Sequence, residues 1–186
     1  MPQCNASRMI ERPPLRRHIR ERGTLALHWL VLGNPALVEI AEASGAEGVV
    51  LDLQHGLWER AGLEAALRPI AGAPWRLVRL ADHDRAGITT ALDAGADGII
   101  APLVESAEQA RNVVAAARFA PVGERSVGGV RPLAGDLQNY LRRAETGTAG
   151  GAVIGTTGGG GGGGTIPPPP RTGFFFLRGG GPPRGP

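Results

Sequence analysis

The sequence predicts an α/β protein built of stacked strand–helix units. Three observations carry this. Between Thr24 and Ala117, short apolar runs alternate with segments of helical periodicity. The apolar runs are continuous, as in parallel strands buried on both faces. The segments "EASGAEGVVLD" and "LDAGADGIIAP" repeat one order: helix end, Ala-Gly turn, acidic residue, Gly, apolar strand. An open doubly wound sheet and a closed barrel both accommodate the alternation. The near-repeat favours a barrel of equivalent units.

Taken in order, Thr24–Leu30 is the first strand. Pro35–Ser44 is the first helix, with Pro35 suited to its opening turn and Gly45 ending it. Gly48–Leu51 is the second strand, closed by Asp52. Trp58–Ile70 follows as a helix, with Leu63, Ala66, Leu67 and Ile70 on one stripe. Trp75–Leu80 is the third strand. Asp84–Ala94 is the third helix, with Asp84 as its cap and Gly95 just past its end. Gly98–Ala101 is the fourth strand. Ser106–Ala117 is the fourth helix, and Ser106 and Gln109 have capping-box spacing. A complete (β/α)8 TIM barrel takes about 250 residues. The expectation for 186 residues is therefore a partial barrel of about four to five β-α units.

The organisation has three parts. Residues 1–23 form a basic arm, with six arginines up to Arg22 against Glu11 and Glu21. Residues 24–149 form the partial barrel. Residues 150–186 form a low-complexity tail, with seven consecutive glycines at Gly158–Gly164 and four prolines at Pro167–Pro170. Poly-Gly cannot offset its ordering entropy by burial, so the tail is expected to be irregular. Because a strand–helix rhythm stops abruptly there, it also reads as a frame-shifted translation. Arg171, Arg178 and Arg184 account for the whole excess of +3. The high pI thus belongs to the ends of the chain, and a basic nucleic-acid surface on the folded body is not expected.

Composition also limits the chemistry. Every basic residue is arginine, so no Schiff base and no P-loop lysine can form on this chain. A carbon–carbon lyase built on it would need another electron sink, for which a divalent metal is the usual choice. Cys4 is the single cysteine, which excludes an internal disulfide. No apolar run is long enough to span a membrane. A cytoplasmic location is the default expectation.

In barrels, functional groups lie at the C-terminal ends of strands. The residues there are Asp52, Gln54 and His55 after the second strand, Arg79, Asp82, His83 and Asp84 at and after the third, and Pro102 and Glu105 after the fourth. His55 is placed to act as a general base near neutral pH, or to bond loop backbone. Asp52 could orient it or cap the turn. Arg79 needs an anion, either a substrate carboxylate or enolate, or an internal partner such as Asp52. Asp82–Asp84 makes a poor metal site, because adjacent turn residues rarely point at one ion. Asp93 reads as a helix-end residue held by local amides. Arg125 and Arg131, in "APVGERSVGGVRPL", belong either to an anion-holding loop or to a solvated one.

Four strings, in order, resemble the HpcH/HpaI aldolases, the metal-dependent class II pyruvate aldolases. They are Asp52, Gln54 and His55; Arg79 closing the third strand; "LDAGADGIIAPLV" from Leu92 to Val104; and Arg118 to Ser126. Coverage runs roughly from Thr24 to Ala144. The resemblance implies a (β/α)8 barrel and a homo-oligomer, usually a hexamer. It implies cleavage of a 2-keto-4-hydroxy acid to pyruvate and an aldehyde, with Mg2+, Mn2+ or Co2+ chelating the keto acid. It makes His55 the base, Arg79 the donor to the keto oxygen, and Asp93 a support for the histidine. Asp52, Gln54 and Arg125 become supporting or substrate-binding residues.

The chain departs from the family pattern in two respects. Gln54 stands where many members carry Glu. The family's metal ligands, a Glu from a "Q/M-I-E-T" strand and an Asp from a later "G-x-x-D-L" motif, are both missing; "AVIGTTGGGG" stands where the first should fall. The expectation is therefore family ancestry without the family's metal site, and a chain inactive as it stands. The alternatives are a non-catalytic half-barrel binding module and a citrate-lyase-type acyl-CoA lyase, though His55 argues against the latter.

Overall fold

A computed structural model describes residues 15–22, 25–68, 74–129, 137–146, 152–156 and 174–177. Helix α1 (Leu15–Arg22) precedes four strand–helix units: β1 (Leu27–Leu30), α2 (Ala36–Ala43), β2 (Gly48–Asp52), α3 (Arg60–Ala66), β3 (Trp75–Arg79), α4 (Arg85–Asp93), β4 (Gly98–Ala101) and α5 (Ala107–Ala117). Helix α6 (Leu137–Thr146) and strands β5 (Ala152–Thr156) and β6 (Phe174–Leu177) follow. All strands are parallel, in the order β1-β2-β3-β4-β5-β6. Sequential parallel order with a crossover helix after each early strand is the arrangement of part of a (β/α)8 barrel.

The punctuation expected from sequence is in place. Asp84 Oδ1 accepts from the Gly87 amide at 2.6 Å and caps α4. Ser106 and Gln109 form a reciprocal capping box on α5. Gly45 and Gly95 end their helices at φ +79° and +106°, the left-handed region open to glycine. Helix α3 is shorter than expected. It starts at Arg60 because Trp58 is used otherwise: its indole N–H donates to the Leu30 carbonyl at 2.7 Å and ties this loop to the end of β1. The last residues expected in that helix, 69 and 70, lie outside the described residues.

Strand alternation divides the core into two layers. Val49, Leu51, Val78, Leu80, Ile99 and Ala101 face the helices and pack against residues such as Leu63, Ile88 and Val113. Val50, Trp75, Leu77 and Ile100 face the other way and pack with Leu15 of α1. Within the basic arm of residues 1–23, the described residues 15–22 are helical and join this second layer. Leu15 is fully buried, and Ile19 packs beside it. Covering a Leu of this kind stabilises by about 1.5–3 kcal/mol, which explains why an arginine-rich segment docks as a helix. Arg17 pairs with Glu21 and Arg22 with Glu47, all four exposed.

The expectation of an irregular tail does not hold for β5 and β6. Both extend the sheet, with Ile99 in register with Val153 and Ile154 with Phe175. Backbone pairing on the exposed edge of β4 favours any extended segment of strand-forming residues, and "AVIGT" and "FFFL" are such segments. The glycine and proline runs of the tail lie outside the described residues.

Candidate active site

Asp52 is the last residue of β2 and Arg79 the last of β3, and the two are register partners. Both fall on the inner face, in phase with Val50 and Leu77. Arg79 NH1 donates to Asp52 Oδ2 at 3.1 Å. The internal partner that sequence left open for Arg79 is therefore present. It uses one of five guanidinium N–H donors. The Arg79 side chain keeps 22% exposure while that of Asp52 keeps 3%.

Asp52 organises the turn that follows it. Its Oδ1 accepts from the backbone N–H of Gln54 at 2.9 Å and of His55 at 3.2 Å. Its Oδ2 also accepts from the indole N–H of Trp29 at 2.9 Å. Burial alone would raise this carboxyl. The Trp29 indole, the His55 and Gln54 amides and the Arg79 charge outweigh burial and hold it below its ordinary value. Asp52 therefore stays an anion, with both oxygens engaged. His55 sits on this turn with its side chain exposed. Gly56 closes the turn where no side chain fits: a Cβ there would overlap the Asp52 carbonyl oxygen and lie 2.9 Å from that of Val31. The string "LDLQHG" is thus one unit: the Asp52 carboxylate holds the backbone amides of Gln54 and His55, and Gly56 leaves room for the carbonyls around it.

Trp29 was missed by sequence reasoning. It lies in β1 two strands from Arg79, yet the Arg79 guanidinium carbon is 5.7 Å from its ring centroid. The available signal was its phase: Trp29 shares the inner face with Leu27, two residues before it.

Other sequence candidates lie elsewhere. Asp93 and Arg125 do not join the strand-end group. Asp93 ends α4, about 12 Å of helix rise from the α4 N-terminus at the site edge. Its Oδ1 accepts from Arg125 NH2 at 2.7 Å, and the same NH2 donates to the Tyr140 hydroxyl at 2.8 Å. The Arg125 side chain is fully buried over the Phe119 ring, at 4.5 Å. Within this chain the geometry makes Asp93 and Arg125 a clasp joining α4, the loop after α5, and α6. It does not bring Asp93 to His55 or open Arg125 to a substrate. Asp82 pairs with His83 at 3.0 Å, Asp84 caps α4, and Glu105 is exposed. Arg131 lies outside the described residues.

The donor set does not fit a divalent cation. A hard cation needs several oxygen ligands. Both Asp52 oxygens are already occupied by N–H donors. Among the described residues no group of three or more His, Cys, Asp or Glu converges on a point. What the arrangement offers is a fixed guanidinium, an exposed histidine one turn away, and a buried carboxylate holding both.

A parallel sheet with crossover helices and an arginine–carboxylate pair at its strand ends defines a protein of the barrel-enzyme class. More specifically, residues 25–152 match the family described as HpcH/HpaI aldolase/citrate lyase, and the chain belongs to that family. It is 39% identical over 105 residues to a 4-hydroxy-2-oxovalerate aldolase of Novosphingobium aromaticivorans, covering 55% of this chain and 40% of that protein. It is 34% identical over 137 residues to a 2-keto-3-deoxy-L-rhamnonate aldolase of Salmonella gallinarum, covering 70% and 51%. The chain thus spans about half the length of these curated relatives. Among solved structures, an HpcH/HpaI aldolase/citrate lyase family protein from Burkholderia cenocepacia superposes with TM-score 0.67 at 28% identity, covering 76% of this chain and 58% of that one. An HpcH/HpaI aldolase from Desulfitobacterium hafniense, at 24% identity and TM-score 0.65, shows the same fold. Among the described residues no helix is long and apolar enough to cross a membrane.

Proposed function

We propose that this chain carries the keto-acid-binding and proton-transfer half of an aldolase site. In the whole family barrel that site cleaves a 2-keto-4-hydroxy acid to pyruvate and an aldehyde. The observation that supports this is the Asp52–Arg79 pair at the C-terminal edge of adjacent strands, with further Arg79 donors unused among the described residues. In the cleavage, the 4-hydroxyl loses its proton, the C3–C4 bond breaks, and its electron pair moves to the keto oxygen as an enolate. Protonation at C3 then gives pyruvate. Arg79 N–H donors would hold the carboxylate or the developing enolate oxygen; a positioned donor of this kind contributes about 3–4 kcal/mol to the transition state. His55 would take and return the proton, with Asp52 fixing its turn through the backbone. Small-molecule keto acids and aldehydes are the partners in this reading.

The same reading places turnover out of reach of the 186-residue chain. The family's divalent cation has no ligand set among the described residues, and Arg79 alone offsets only part of the enolate charge. Pyruvate release from a 4-hydroxy-2-keto acid with added Mn2+ or Co2+ tests this. The expected outcome is none from the chain as it stands, and chelator-sensitive release from a version whose reading frame beyond Ala149 is altered to restore an "IET" strand. Chelator-sensitive turnover by the present chain would overturn it. Pyruvate binding without turnover in either version would support the binding-module reading instead.

A further inference from the structure

We infer that Trp29 is a positioning residue: its indole N–H fixes the Asp52 carboxylate that holds Arg79, with its ring near the Arg79 guanidinium. This rests on the keto-acid reading above and adds a specific residue to it. Two facts support the role. Its N–H is spent on a carboxylate that already has three other donors, so satisfying Asp52 is not reason enough for it. Its ring also lies against the Arg79 guanidinium, 5.7 Å from centroid to carbon.

The consequence is preorganisation. Arg79 is a long side chain at a strand end, and alone it would sample several rotamers. The ion pair restrains one nitrogen, and the nearby ring adds a cation–π attraction. With the side chain restrained before a ligand arrives, binding loses less side-chain entropy. A ligand with a carboxylate matches this restrained guanidinium. Pyruvate and its planar analogue oxalate are the probes.

Calorimetric titration of the full 186-residue chain with each probe tests the inference. Trp29→Phe should weaken binding about tenfold, the usual worth of a hydrogen bond to a charged group. Trp29→His, which keeps a ring N–H, should recover part of the loss. Because Trp29 acts through Asp52, the Trp29→Phe/Asp52→Asn double variant should bind no more weakly than Asp52→Asn alone; a packing role would make the two losses add. Wild-type affinity in Trp29→Phe, equal losses in Phe and His, or additive losses would each overturn the inference. Arg79→Ala separates the two levels. If it binds pyruvate as the wild type does, or if the wild type binds neither probe, the keto-acid reading fails and takes the role of Trp29 with it. If Arg79→Ala abolishes binding and Trp29→Phe changes nothing, only the role of Trp29 fails.

Discussion

Asp52 and Arg79 close adjacent parallel strands in register, and the carboxylate that receives Arg79 at 3.1 Å also receives both amides of the turn bearing His55. One buried anion thus links the two candidate catalytic side chains. Removing it and removing its arginine should have unequal costs. Asp52→Ala strands the Trp29 indole, two backbone N–H groups and a guanidinium, and should destabilise by about 3–5 kcal/mol. Arg79→Ala takes the cation from the buried Asp52 but leaves it three N–H donors, so a smaller loss of about 1.5–3 kcal/mol is expected. Urea unfolding of the two variants checks the order.

The pH dependence of stability should carry the signature of Asp52. Its folded-state pKa is depressed, so its contribution is fully present above the ordinary carboxylate range, about 4, and is lost as pH falls through the lower folded value. The difference in unfolding free energy between wild type and Asp52→Asn should be largest at neutral pH and shrink below pH ~4. A gap that stays constant down to pH ~2 would show that Asp52 is not held as an anion.

Gly56 and Gly45 should respond differently to alanine. At Gly56 the added Cβ overlaps the Asp52 carbonyl oxygen, and neither it nor the Val31 carbonyl can move without breaking the strand ends. Gly56→Ala should cost about 2–3 kcal/mol and weaken pyruvate binding by displacing the His55 turn. Gly45 has φ +79° with nothing within 4 Å of a built Cβ, so Gly45→Ala costs only the left-handed backbone, about 1–2 kcal/mol, and should leave binding unchanged. Thermal melts and titrations on the same samples distinguish them.

Asp93→Ala should act on stability and spare binding. It leaves the fully buried Arg125 side chain without its carboxylate, at a cost of about 3–5 kcal/mol. Pyruvate affinity at low temperature, where the variant stays folded, should match wild type. A selective loss of affinity with an unchanged melting temperature would return Asp93 to the catalytic group.

Much of this was legible in the residues themselves. The strands β2, β3 and β4 were bounded to within a residue, because runs such as "GVVLD" leave no polar face to turn outward. Asp84 and Ser106 were readable as caps because a cap reaches only two or three residues along the chain. His55 and Arg79 were found by position, since a strand end is a local feature. Trp29 was not found: its partners lie 23 and 50 positions away, and only the sheet register brings them together. Asp93 was assigned away from its actual partner for the same reason, because Arg125 reaches it across 32 positions.

The sequence by itself determined the alternation of elements, the strand-end placement of Asp52, His55 and Arg79, and the lysine-free chemistry open to the chain. These follow from periodicity, chain-local hydrogen bonding and composition, which act over a few residues. Tertiary structure alone decided which donors Asp52 accepts, that α1 docks on the inner face, that β5 and β6 extend the sheet, and that Arg125 is spent on Asp93. Those outcomes depend on strand register and on which apolar surface is left to cover. Both are settled only when distant segments compete for the same edges and faces.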